Sequence, residues 1–120
     1  MIDDLFVCDV LTGDSIMHVI RYDATTWEVY HYGTLPNGRT AVRHRIVDLL
    51  SYDLCSKSFC ADYLEPYGFE SLDEFRKVYG WHRWQCNLAV RIFQTELAYA
   101  EIICTGTRKF CEQFIERRNA

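Results

Sequence analysis

Residues 27–47 decide the fold: Trp27-Glu28-Val29-Tyr30-His31-Tyr32, then Leu35-Pro36-Asn37-Gly38, then Arg39-Thr40-Ala41-Val42-Arg43-His44-Arg45-Ile46-Val47. The first run is rich in aromatic and β-branched residues, which suit a pleated surface. The tetrapeptide after it is a turn, because Pro fixes φ and Asn-Gly accepts positive φ. The last run reads as a second strand. A short connection joins neighbouring strands antiparallel, so the pair is a hairpin.

Working back toward the N-terminus, residues 5–10 form a compact apolar run, and Thr12-Gly13-Asp14 breaks it. Residues 15–22 alternate weakly, with Ile16, His18 and Ile20 on one face and Met17, Val19 and Arg21 on the other. Both faces carry apolar groups, which predicts a strand covered on two sides. Residues 23–26 give the next turn. The first third is therefore a four-stranded antiparallel meander.

Working forward, helical spacing takes over. Phe59, Cys60, Tyr63 and Leu64 make one stripe of a short helix in residues 53–64, ended by Pro66 and Gly68. Ser71-Leu72-Asp73-Glu74 is a capping box: Ser71 accepts from the Glu74 amide, and the Glu74 carboxylate reaches back to Ser71. Leu72, Phe75 and Val78 give that second helix its apolar face, and Gly80 stops it. Leu88, Val90 and Ile92 then alternate with Ala89, Arg91 and Phe93, which predicts a strand, and residues 99–104 predict another. Thr105-Gly106-Thr107 opens a terminal helix with Phe110, Cys111, Phe114 and Ile115 as its stripe. The expected fold is α+β in a single domain spanning residues 1–120: four strands, two short helices, two further strands and a C-terminal helix.

Composition narrows the function classes. Hydrophobic residues make up 49%, enough to build a core and too many for a disordered chain. A net charge of −4 gives no global attraction to nucleic acid, so any such binding needs a local basic patch. The start, Met1-Ile2-Asp3-Asp4, is acidic where a signal peptide is basic, and no apolar run has the length of a membrane span. The expectation is a cytoplasmic protein without a membrane partner. Cys8, Cys55, Cys60, Cys86, Cys104 and Cys111 lie mostly in apolar stretches and include no CxxC pair. They read as reduced thiols acting as small hydrophobes, and a site built from Cys55, Cys60 and a histidine lacks metal-ligand spacing. No metal or other cofactor is expected.

Two features suggest a binding surface. Arg39, Arg43 and Arg45 form a basic strand, and residues two apart share a face, so Arg43 and Arg45 point the same way. Guanidinium groups suit phosphate or carboxylate, although a solvated sheet face paired with nearby acids is the favoured reading, because strands routinely have one wet face. Trp81, Arg83 and Trp84 follow a helix end, where tryptophan can anchor a partner or stack a base, or else plug the core. His18, His31, His44 and His82 sit in no metal or triad motif, and no glycine-rich phosphate loop exists. The Thr105-Gly106-Thr107 amides could meet an anion, but an ordinary N-terminal cap is the simpler reading. No enzymatic role is expected.

About half of the chain, residues 40–97, resembles the ASCH family, which has a PUA-like barrel fold. The resemblance rests on Arg43-His44-Arg45-Ile46-Val47, on Tyr67-Gly68-Phe69-Glu70-Ser71-Leu72-Asp73-Glu74-Phe75-Arg76, on Trp81, and on Ala89-Val90-Arg91-Ile92-Phe93. Gly13-Asp14 is similar to the family's Gly-Asp before a strand. The resemblance implies a partly open barrel and an RNA-related role. The family's Gly-x-Lys-Thr-like segment near the N-terminus is missing, since the first lysine is Lys57, so no catalytic residue carries over. The C-terminal strand and helix look like an addition. The leading expectation is a non-catalytic protein acting through protein–protein contacts, of the kind phages and mobile elements use as inhibitors. The alternative is an ASCH-type RNA-binding module on Arg39, Arg43, Arg45, Trp81, Arg83 and Trp84. Self-association is compatible with either.

Overall fold

The computed structural model describes residues 5–9, 16–80 and 83–118. Its strands are β1 (Leu5–Asp9), β2 (Ile16–Arg21), β3 (Thr26–Thr34), β4 (Thr40–Asp48) and β5 (Glu101–Gly106). They form one antiparallel sheet in the order β1-β2-β3-β4-β5, with β1 and β5 at opposite edges, so the sheet is open. The helices are α1 (Lys57–Phe59, continuing into a π-helical turn Cys60–Leu64), α2 (Leu72–Tyr79), α3 (Trp84–Thr95) and α4 (Arg108–Arg118). The fold is α+β, and the N-terminal meander stands as the sequence predicts. The expected break at residues 12–14 lies outside the described residues.

The β3–β4 turn closes through Leu35, whose amide bonds the Arg39 carbonyl and whose carbonyl accepts from Gly38. Gly38 takes φ +85°, which an L side chain would resist. Strict alternation then sorts β2, β3 and β4 into two faces. Met17, Val19, Trp27, Val29 and Val47 point to one face and are buried under α1–α3. Tyr30, Tyr32 and Val42 point to the other and are buried under Cys111 and Ile115 of α4. The sheet is thus covered on both sides, as the two apolar faces of β2 predict.

Residues 88–93 correct the sequence reading, because they belong to helix α3 and not to a strand. Leu88, Ala89, Val90, Ile92 and Phe93 are all buried. The buried arc of the helix is wide, so a short apolar run within it mimics alternation, while the polar stripe Asn87, Arg91, Gln94 and Thr95 extends beyond that run. One further strand follows the central helices rather than two. Arg91 interrupts the run, with its guanidinium over the Tyr67 and Tyr79 rings and bonded to the Tyr79 hydroxyl at 2.7 Å.

Helix α2 is capped by Ser71, whose Oγ accepts from the Glu74 amide at 3.1 Å. The return arm differs from expectation: the Glu74 carboxylate accepts from the amide of Glu70, one residue before the cap. Phe75 is fully buried, but Val78 is 63% exposed. At 100° per residue Val78 lies off the stripe, and Tyr79, four residues from Phe75, packs on its ring instead. In α4, Cys111 and Ile115 hold the stripe while Phe110 is half exposed. Thr107 caps it, its Oγ1 accepting from the Phe110 amide.

Candidate binding surface

The structure separates the two halves of the surface expected from sequence. Arg43 and Arg45 stand on the α1–α3 face of β4, opposite His31 and Val29 of β3. Trp84 and Arg83 lie at the start of α3, whereas Arg45 meets Glu96 just past its other end. Twelve residues separate these ends, or about 18 Å at a rise of 1.5 Å per residue. Trp84 is half-buried against the larger core, with the Arg76 guanidinium over its ring at 4.8 Å. Arg83 is exposed, and its carbonyl accepts from the backbone and side-chain amides of Asn87. Arg39 is exposed at the opposite end of β4 from Asp48. Trp81 lies outside the described residues.

What does assemble is a polar cluster at the β4–β5 side of the sheet. The Glu96 carboxylate accepts from Arg45 and from the Tyr52 and Tyr63 hydroxyls. The π-helical turn after α1 carries Tyr63, and the 3₁₀ turn Leu49–Ser51 leads β4 into Tyr52. Burial pulls the Glu96 carboxyl upward, yet hydrogen bonds from Tyr63 and Arg45 outweigh it and hold its pKa below the usual range. Burial and then the Glu96 charge push the Tyr52 and Tyr63 phenols up, so they stay protonated donors. A charge held by three donors fixes the orientation of Arg45.

Around this cluster lies the open edge. Among the described residues β5 pairs only with β4, leaving its other side unpaired. The register puts Ile102 beside Arg43 on one face, with a bulge between Val42 and Arg43. Ile102 is 48% exposed and Tyr99 77% exposed. The Arg45 guanidinium sits 5.8 Å from the Tyr99 ring centre. Arg43 makes no ion pair among the described residues; its charge and burial lower the pKa of the half-buried His31, burial being the larger cause. Tyr99 and Ile102 were missed as surface residues from the sequence, where residues 99–104 read as one plain strand. The signal available was Glu101 at its start, a charged residue of the kind that guards sheet edges.

The remaining clusters have weaker chemistry. Under α4, His44 stacks on Tyr30 and approaches Glu28 at 3.2 Å, and His18 stacks on Tyr32. Tyr30 and Tyr32 are themselves buried, so this row is packing rather than an open pocket. A groove of about 670 Å³ between α1 and α2 is lined by Cys55, Cys60, Glu65 and Glu70 among others. Desolvation and the Glu65 carboxylate raise the Cys60 thiol pKa, which works against a thiolate nucleophile. Among the described residues no group of three His, Cys, Asp or Glu side chains is placed to hold a metal ion, and no helix is long and apolar enough to cross a membrane.

Comparison with known proteins gives no matching family model, no matching curated protein and no matching solved structure.

Proposed function

We propose that this chain is a non-catalytic binding protein that takes a protein partner along the open edge of β5. The observation that carries the reading is the unpaired outer edge of strand Glu101–Gly106, with Ile102 exposed on it, Tyr99 exposed just before it and an Arg45 already fixed in place nearby. An extended segment of a partner can add to such an edge through main-chain hydrogen bonds. Tyrosine and arginine are enriched at binding hot spots, and a pre-ordered arginine loses little entropy on docking. A partner strand with an acidic side chain next to Arg43 fits best. A small domain of this kind suits an inhibitor carried by a phage or mobile element, acting in the cytoplasm.

A second reading, an ASCH-type RNA-binding module, is supported by the exposed Tyr99 ring beside Arg45, on which a base can stack. Affinity capture from the native host at two salt concentrations separates the two. A stoichiometric protein retained at high salt supports the first reading. RNA released steeply by salt supports the second.

A further inference from the structure

Two cysteines on neighbouring elements meet at the seam between β5 and α4. Cys104 stands opposite Val42 in the β4–β5 register, on the face of the sheet that α4 covers. Cys111, near the start of α4, is fully buried in the cluster with Tyr30, Tyr32 and Val42. Their sulfurs lie 3.9 Å apart. We propose that Cys104 and Cys111 are a redox-responsive pair, reduced at rest and closed by a peroxide into a disulfide that fastens α4 to the edge strand.

Local structure holds the two thiols together. Thr107 caps α4, its Oγ1 accepting from the Phe110 amide and its carbonyl from the Cys111 amide. The chain therefore turns back over β5 directly after the strand ends. Gly106 permits that close return, since a Cβ there would stand 2.8 Å from the Phe110 ring. The Cys111 thiol donates to the Thr40 carbonyl at 3.5 Å, which ties its sulfur to β4 beside Cys104. A disulfide bond of about 2.05 Å asks the sulfurs to approach by about 2 Å, within reach of side-chain rotation. Packing as a small hydrophobe accounts for Cys111 alone. A second, partly exposed thiol facing it supplies the route for an oxidant.

Exposure divides the roles, because Cys104 is partly exposed and Cys111 is buried. Burial and then Cys104 push the Cys111 thiol up to about 11, so Cys111 keeps its proton at neutral pH. The Cys104 thiolate attacks one oxygen of hydrogen peroxide and the O–O bond breaks. Cys104 becomes a sulfenic acid, and the departing hydroxide takes up the proton that Cys104 released, giving water. The Cys111 sulfur then attacks the Cys104 sulfur and the S–O bond breaks. The hydroxyl leaves with the Cys111 proton as a second water. The pair of thiols gives up two electrons, and one peroxide is reduced to two waters. Exchange with a small thiol such as glutathione reopens the bond. Such a pair suits a reducing compartment, where disulfides are transient rather than structural. The buried residues of α4 are Cys111 and Ile115, so a covalent bond at Cys111 secures one of its two anchors. The site is independent of the β5-edge reading.

Reduced whole protein is treated with a small excess of hydrogen peroxide, alkylated in urea and digested with trypsin. Arg108 and Lys109 lie between the two cysteines, so a bridge is read as two linked peptides. The parent should show Cys104 linked to Cys111, reversed by dithiothreitol, with buried Cys86 still alkylated. In Cys111→Ala, Cys104 should stop at the sulfenic acid and be captured by dimedone. In Cys104→Ser, Cys111 should be recovered alkylated. Cys104 is only partly buried, so its variant keeps the comparison should Cys111→Ala fail to fold. Amide hydrogen exchange across residues 108–118 should slow about ten-fold in the bridged protein. Recovery of both Cys104 and Cys111 as alkylated residues after peroxide, linkage of either to another cysteine, or unchanged exchange in bridged α4 overturns the proposal.

Discussion

Arg45 of β4 and Glu96 at the end of α3 form an ion pair that ties the sheet near its open edge to the helix covering it, and Tyr52 and Tyr63 donate to the same carboxylate. Replacing Glu96 leaves three donors without their acceptor. Glu96→Ala should destabilise by about 2–3 kcal/mol, less than for a fully buried pair because the Arg45 side chain is 24% exposed. Tyr52→Phe removes one donor and should cost about 1 kcal/mol. Urea melts read both. The folded Glu96 pKa is depressed, so its contribution is present above its ordinary value of 4.5 and is lost as pH falls through the folded value. Glu96→Gln should therefore flatten the acid limb of the stability profile.

The histidines should set a second pH window. Burial lowers the pKa of His31, aided by Arg43, and lowers that of His18 against the opposing pull of Glu112 and Glu116. A histidine with a depressed folded pKa stabilises above its ordinary value of 6.5, and that stability is lost as pH falls below it. Unfolding free energy should be level above about pH 7 and decline below 6.5. His31→Gln should lose part of that decline. A profile with no slope there contradicts the placement of both rings.

Helix α2 gives a direct contrast between a cap and a core residue. Ser71→Ala removes the bond to the Glu74 amide and should cost about 1 kcal/mol. Phe75 is fully buried, in contact with the Phe69 and Tyr79 rings, and Phe75→Ala should cost about 3–5 kcal/mol through the cavity left. Equal, mild effects in urea melts would contradict the packing described.

Cysteine reactivity should follow burial. Cys55 is exposed, whereas Cys86 and Cys111 are buried and Cys111 has a raised pKa. Alkylation followed by mass spectrometry should label Cys55 first and reach Cys86 and Cys111 only on unfolding. The Cys104 and Cys111 sulfurs lie 3.9 Å apart as free thiols, so both should be recovered as single alkylated residues from protein kept reduced.

The parts legible in the sequence were those governed by local chemistry. The Leu35–Arg39 turn, the Ser71 cap and the ends at Gly68 and Gly80 each follow from one or two residues whose backbone preferences are strong. The β2–β4 strands were legible because alternation survives wherever two faces meet different helices. Helix α3 was not legible within residues 88–93, since Leu88, Ala89, Val90, Ile92 and Phe93 are all buried and Arg91 alone breaks the run; its polar face, Asn87, Arg91, Gln94 and Thr95, shows only over a longer window. The arginine strand was readable as a shared face, but its partner Glu96 lies fifty-one residues away and no local pattern links them. Trp84 was readable as an anchor and turned out to pack on the core from the far end of α3. Tyr99 and Ile102 became surface residues only once β5 proved to be an edge, which is a property of the whole sheet.

The central claim, that the β5 edge binds a protein partner, is tested most directly by quantitative affinity capture from the native host with the parent chain and with Tyr99→Ala/Ile102→Glu, at low and high salt. Both side chains are exposed, so the variant should keep the parent's Tm. The parent should retain one stoichiometric protein at both salt concentrations, and the variant should lose more than about 2 kcal/mol of binding free energy. Equal capture by the folded variant would contradict it.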